Sequence, residues 1–200
     1  MRHPRVYTQS DISTLKAGGT YEHGIFDKLD LSTIDLTETT FTHCSFEKVR
    51  LVDTKFNAAT LIHCNFSNAV LGNTNFFSTN FTDCKLVGLD FTQDVSIVGT
   101  TFTTCMFDYS NMRGLDLAKL KLDKCSFHEV DMSLANLEKT SLVDARFTNV
   151  TIDQTKFMAT DLRGATLQGL NLKTNDLRGI IITPHQLQML AEEIGILVTE

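Results

Sequence analysis

Along most of this chain the large hydrophobic side chains recur at every fifth residue. From Phe26 the series runs Leu31, Leu36, Phe41, Phe46, Leu51, Phe56, Leu61, Phe66, Leu71, Phe76, Phe81, Leu86 and Phe91. It slips by one residue through 92–96 and restarts at Ile97. From there it continues through Phe102, Phe107, Met112, Leu117, Leu122, Phe127, Met132, Leu137, Leu142, Phe147, Ile152, Phe157, Leu162, Leu167, Leu172 and Leu177 to Ile182. A second column, two residues before each of these, is small or β-branched almost throughout: Ile34, Thr39, Cys44, Val49, Thr54, Ala59, Cys64. The positions between are mostly polar. An α-helix repeats its faces every 3.6 residues and a strand every 2, and neither gives five. The chain must therefore turn a corner in each unit, sending one large and one small side chain inward and the rest outward. That is a solenoid.

The cysteines set the number of sides. Cys44, Cys64 and Cys84 are 20 residues apart, Cys84 and Cys105 are 21 apart across the slip, and Cys105 and Cys125 are again 20 apart. All five occupy the small inward position, so four units make one coil and the thiols form a core ladder of small apolar groups. The spacing thus predicts a solenoid with four units per coil. Units such as Thr160-Asp161-Leu162-Arg163-Gly164 and Ala135-Asn136-Leu137-Glu138 resemble the A(D/N)LXX repeat of pentapeptide-repeat proteins. The resemblance covers about four-fifths of the chain, and it implies an all-β fold, a right-handed, four-sided β-helix of about eight coils, ~38 Å long at one strand spacing per coil.

A solenoid leaves unpaired backbone at both ends and needs caps. Three segments follow: an N-terminal cap over 1–25, the repeat over 26–182, and a C-terminal helix and tail over 183–200. Val6, Ile12 and Leu15 are the candidate covering side chains at the first end. At the other, Thr183-Pro184-His185-Gln186 reads as an N-cap, a proline at the first helical position and a glutamine at N3. Leu187, Leu190, Ala191 and Ile194 then share one helical face, Gly195 ends the helix, and Ile196, Leu197 and Val198 form an apolar tail. The segment either folds over its own last coil or buries its apolar residues in a homodimer through Leu187, Leu190, Ala191, Ile194, Ile196 and Val198.

Composition narrows the functional classes. The chain of 200 residues has 18 Lys and Arg against 24 Asp and Glu, a net charge of −6, which disfavours direct nucleic-acid binding through a basic face. No apolar run reaches membrane-spanning length, the N-terminus lacks a secretory h-region, and the odd cysteine count without a CxxC pair fits a reducing compartment. A cytoplasmic location is expected. There is no GxSxG, P-loop, HExxH or GxGxxG, and an interior filled by Phe and Leu leaves no room for a substrate or cofactor. His43 and His63 each precede a ladder cysteine, but the repeat turns one side chain out and the other in. A stack of surface histidines is expected there, with no metal site.

Function must then lie on the outer surface. The tail from Gln186 to Val198 resembles the C-terminal dimerisation end of the Qnr subgroup of pentapeptide-repeat proteins. The absence of long loops is similar to the MfpA-type relatives. These proteins bind type II topoisomerases, DNA gyrase especially, as mimics of duplex DNA, so the resemblance implies such a partner and a role in quinolone resistance. Charge limits the mimicry: 26–182 holds 19 acids and 15 bases, whereas ~38 Å of duplex carries about 22 phosphates. A local patch would have to serve, and the central coils offer Asp83, Asp90, Asp94 and Asp108 with only Lys85 among them, while the first coils offer Asp27, Asp30, Asp35, Glu38 and Glu47, partly offset by Lys28 and Lys48. The alternative is a protein–protein scaffold with no topoisomerase role. Adsorption to an ordered surface through Thr40, Thr42, Thr60, Thr82, Thr101 and Thr103 is a third class, interrupted by Ile62 and Asn80.

Overall fold

The computed structural model describes residues 3–167, 170, 172 and 175–193. Most five-residue units end in a tight turn closed by a backbone hydrogen bond, as from Leu29 N to Phe26 O at 3.2 Å or Ala59 N to Phe56 O at 2.9 Å. The third residue of each such turn has a positive φ: Lys28 +61°, Ala58 +55°, Leu134 +64°. This turn form reverses the chain only if that residue enters the left-handed region. Glycine does so freely, and Gly88, Gly99, Gly114, Gly164 and Gly179 hold equivalent places. Asn, Asp, Lys and Thr hold most of the others.

After four turns the chain arrives above its starting point and pairs with itself in parallel. Short strands form on one side, β2 (Thr20–Glu22), β4 (Thr40–Thr42), β5 (Thr60–Ile62), β6 (Asn80–Thr82) and β7 (Thr101–Thr103), in a five-stranded parallel sheet of that order. Thr40 faces Thr60, and Asn80 faces Thr101 across the slip. Another side carries β8 (Ser126–His128) beside β9 (Arg146–Thr148). Elsewhere the coils meet through single parallel bridges such as Asp30 with Arg50 and Lys55 with Asn75. The solenoid makes about seven turns, and its eighth coil passes partly outside the described residues. We label the sides A to D in chain order. Side A is centred on Phe46 and carries the cysteine ladder; side D is the sheet centred on Phe41.

The interior is filled as the repeat requires. Phe26, Phe46 and Phe66 stack at 4.9 and 4.6 Å, and Phe107, Phe127 and Phe147 at 5.3 and 5.2 Å. All five cysteines are buried and free. Where the small inward residue is threonine, its hydroxyl donates to a turn carbonyl of the coil below: Thr54 to Leu31 O at 2.7 Å, Thr79 to Phe56 O at 2.6 Å, Thr160 to Leu137 O at 2.6 Å. A polar atom in the core is thereby satisfied without widening it.

The one-residue slip is absorbed at a single corner. Residues 91–94 form a longer turn with Asp94 at φ +55°, and pairing resumes 21 residues apart, Asn75 with Ser96 and Lys85 with Met106. No loop projects there.

Both ends are closed by a glutamine carboxamide. At the first, β1 (Arg5–Val6) pairs with β3 (Gly24–Ile25), a 3-10 helix over Gln9–Thr14 crosses the coil, and Ile12 and Leu15 are buried. Val6, expected to cover the core, points out at 66% exposure. Tyr7 takes the role instead, stacked on Phe26 at 4.2 Å. Gln9 exchanges two hydrogen bonds with the backbone of Asp30, at 2.8 and 3.0 Å, as a further strand would. At the other end α1 (Pro184–Glu193) begins with the expected capping box, Thr183 N donating to Gln186 Oε1 at 2.8 Å and Gln186 N to Thr183 Oγ1 at 3.3 Å. The same Gln186 is buried, and its Nε2 donates to Leu162 O at 2.7 Å and Ala165 O at 2.9 Å.

Two stability outcomes follow from these geometries. Thr33 (φ +65°) and Thr104 (φ +56°) are exposed β-branched residues at left-handed corners, a conformation costly for them. Thr33→Gly and Thr104→Gly should each raise stability by about 0.5–1 kcal/mol, read as a higher urea midpoint at unchanged slope. Gln186→Met keeps the side-chain volume but strips two buried carbonyls of their donor. It should cost about 2 kcal/mol, with amide exchange accelerated in the last coils before the first.

Candidate binding surfaces

The outward (D/N) position of the repeat, just before each large inward residue, has a structural task. Its side-chain oxygen accepts the backbone N–H two residues on, bracing the corner. Asp30 does this for Ser32, Asp35 for Thr37, Asn75 for Phe77, Asp90 for Thr92, Asn111 for Arg113, Asp116 for Ala118, Asp131 for Ser133 and Asn136 for Glu138, at 2.8–3.1 Å. Asp and Asn serve equally in this brace, because it uses one oxygen; Asp90 has its second oxygen engaged as well, by Gln93 Nε2 at 3.1 Å. Charge at these positions is thus free of the fold. For Asp30 and Asp35 the hydrogen bonds from Ser32 and Thr37 hold the carboxyl below its ordinary value. For Asp90 partial burial pushes the other way, but the bonds from Thr92 and Gln93 outweigh it and the group is also lowered. All three are ionised near neutrality.

The four acids proposed as one patch do not form one. Asp83 stands at the corner between sides D and A, 3.8 Å from His63 Nδ1. Asp94 stands at the corner between sides B and C, diagonally across the rod. Asp108 is a staple between coils, its carboxylate accepting from Ser126 Oγ at 3.0 Å and His128 N at 3.1 Å. Only Asp90 and Asp94 are neighbours. The sequence window joined residues that a 20-residue coil distributes around the perimeter. Bridge register shows a different grouping: Asp90 leads to Asn111 and then Asp131 along side B. Asp53, Asp94 and Asp153 hold the adjoining corner, and Asp35 and Asp116 lie on side C. Arg50 near Asp30 at 3.9 Å, Arg113 near Asp131 at 3.7 Å, and Lys55 and Lys156 on side C offset part of this edge.

The histidines stack as expected and recruit a third. His23, His43 and His63 lie one above another on the D–A corner, with rings 5.1 and 4.6 Å apart and nearly parallel. Cys44 and Cys64 point into the core behind them, so no imidazole shares a site with a thiol. Among the described residues no group of three or more His, Cys, Asp or Glu is arranged to hold a metal ion. Cys64 and Cys105 are pushed up by hydrogen bonding with the thiols above and below and by burial, which keeps both protonated and unreactive. No helix among the described residues is long and apolar enough to cross a membrane.

At the C-terminal end a groove of about 570 Å³ lies between α1 and the last described coil, lined by Ala165, Leu167, Met189 and Leu190 among others. Of the residues expected to dimerise, Leu190 packs against the core of its own chain, Ala191 is half-buried, and Leu187 is 61% exposed. Ile194, Ile196 and Val198 lie outside the described residues.

Comparison with known proteins agrees with this architecture. A family model of a pentapeptide repeat region matches residues 100–177, and one of the SV2A/B/C luminal domain matches 12–91. No curated protein matches the chain in sequence. Full-length QnrB1, a plasmid-mediated fluoroquinolone resistance protein, superposes with a TM-score of 0.77 at 22% identity, covering 96% of this chain and 95% of that one. A trypsin-treated point variant of QnrB1 gives 0.60 at 21% identity over the full length of both. HetL, a pentapeptide repeat protein involved in heterocyst differentiation regulation from the cyanobacterium Nostoc, gives 0.44 at 18%, covering 80% of this chain and 85% of that one. The inward ladder is continuous across both matched segments, and the fold is shared with QnrB1 from cap to cap: this chain has the pentapeptide-repeat β-helix fold.

Proposed function

We propose that this rod is a non-enzymatic binding protein that engages a type II topoisomerase, DNA gyrase or topoisomerase IV, and modulates the enzyme or its sensitivity to quinolones. The observation that carries the reading is the set of aspartates at the outward positions of two adjoining sides, Asp30, Asp90 and Asp131 on side B and Asp35 and Asp116 on side C. These positions could hold Asn with no loss to the fold, yet Asp30, Asp35, Asp90, Asp116 and Asp131 hold Asp. An ionised edge on a narrow, capped rod is what a surface built to receive DNA would accept. The likeness in fold to QnrB1, a fluoroquinolone resistance protein, supports the same partner. Mimicry is confined to this edge, because net charge along the whole rod falls far short of a duplex. The scaffold alternative is favoured by a separate observation, the uncharged surface of side D.

Two outcomes test this function. Asp90→Asn/Asp94→Asn removes two charges and keeps the brace at Asp90. Gyrase inhibition or protection by this variant should weaken about tenfold at low salt, with the difference shrinking as salt rises and the melting temperature unchanged. Equal potency at low salt would exclude the acidic edge. We further propose that two copies associate through α1 and the tail. Leu187→Glu places a charge on an exposed position that supports no cap, so it should convert a dimer to a folded monomer in sedimentation; an unchanged dimer would refute this interface.

A further inference from the structure

Side D and its border with side C carry no charge for three successive coils. The stretches 57–62, 77–82 and 98–104 contain only Asn, Ala, Thr, Ser, Gly, Leu, Ile, Phe and Val. Within this area Phe77 is 47% exposed and Val98 65% exposed. They sit on successive coils at the same place, joined by Ser78 N to Val98 O at 2.9 Å. A phenylalanine and a valine on a corner with no fold task are surface that water leaves unrewarded.

The next coil reverses the character. Lys119, Lys121 and Lys124 cross side D from corner to corner, Lys121 paired directly above Thr101, and Lys139 stands one coil beyond Lys119. All four are exposed, and none is in an ion pair among the described residues. Nearby acids are Asp123, Glu138 and Asp144. The Asp123 carboxylate is engaged by Ser141 Oγ and Val143 N. On side B arginines stand beside acids, as Arg50 by Asp30 and Arg113 by Asp131, and on side D itself, two coils beyond Lys121, Arg163 stands beside Asp161 and engages it. Here four lysines gather on one side with their charge unspent.

We propose that side D is a second docking surface, for a protein partner that presents an apolar patch bordered at one end by carboxylates. Phe77 and Val98 enter the apolar patch and Lys119, Lys121, Lys124 and Lys139 meet the carboxylates. Exposed aromatics of this kind anchor interfaces, and rim charges set register and on-rate. A nucleic acid does not fit as well. It carries a phosphate charge every ~1.7 Å and needs cations along its whole track, whereas the three uncharged coils span ~14 Å without one. Side D lies opposite side B, so this surface remains open when the acidic edge is occupied, and the proposal stands independently of the topoisomerase reading.

The test uses the intact chain and a fluorescein-labelled peptide with an apolar Leu-Phe-Leu head and a glutamate-rich tail, followed by anisotropy at low and at roughly physiological salt. The peptide should bind at low salt. The Lys119→Gln/Lys121→Gln/Lys124→Gln/Lys139→Gln variant should bind it about tenfold more weakly and with a flattened salt dependence. Phe77→Ser/Val98→Ser should weaken binding at both salt levels, and all six positions being exposed, both variants should melt as the parent does. Absence of binding at low salt, or affinity unchanged in both variants, overturns the proposal. Tighter binding of a duplex DNA probe through the same lysines would also overturn it, assigning the surface to nucleic acid.

Discussion

The stacking of each coil on the next, backbone N–H to backbone C=O at one strand spacing, governs everything else in this molecule. Because the coils rise by only ~4.8 Å, a residue sits directly over its equivalent 20 or 21 positions away, and like must tolerate like. That is why phenylalanine stacks on phenylalanine, cysteine on cysteine and imidazole on imidazole. It also limits the interior. Four inward rows of large side chains and four of small ones fill the cross-section, so a larger residue in a small row has nowhere to go except through the backbone ladder. The corners carry the cost of this economy, since turning every five residues forces a left-handed residue at each one, glycine or not.

The same stacking separates fold from function unusually cleanly. The outward Asp or Asn of each unit braces its corner through a single oxygen, so the fold is indifferent to the second. Charge can therefore be written on the outside without disturbing the inside. Asp90, Asn111 and Asp131 occupy one row and each braces the backbone N–H two residues on, whether the side chain is charged or not. Surface identity in such a rod is a pattern of independent choices along rows and around corners, and a patch is contiguous only if it respects the coil.

That rule explains what could be read from the residues alone. The period of five and the 20-residue cysteine spacing contain the solenoid completely, since every inward position is specified by its size. The helix start at Thr183-Pro184 was legible because capping is local chemistry. Nearness around the perimeter was not: Asp83 and Asp94 are eleven positions apart yet stand at opposite corners. Gln9, and the second role of Gln186 beyond its place in the capping box, were not legible for a related reason. Nothing in a lone glutamine shows that it will stand in for a missing strand, because the carbonyls and N–H groups it satisfies belong to a coil more than twenty residues away. Tyr7 in place of Val6 is the same lesson in the cap, where stacking on Phe26 decides which side chain turns inward.

Capping and binding are linked through these ends. A rod whose terminal backbone was left open would recruit further strands and grow by edge pairing, which would bury its sides in an unregulated assembly. Gln9 and Gln186 each satisfy the terminal coil with one carboxamide, and neither adds a strand that could itself be extended. Among the described residues the terminal coils are thus satisfied by short local segments, and the long sides between them stay accessible. With the acidic edge on side B and the uncharged, lysine-bordered surface on side D facing opposite ways, the closed ends leave the two sides as the surfaces on which partners can be told apart. Because the core between them is a continuous close-packed stack tied by parallel backbone pairing on all four sides, a partner on one side meets a body braced through its whole cross-section, and partners on opposite sides would sense each other mainly through their charge.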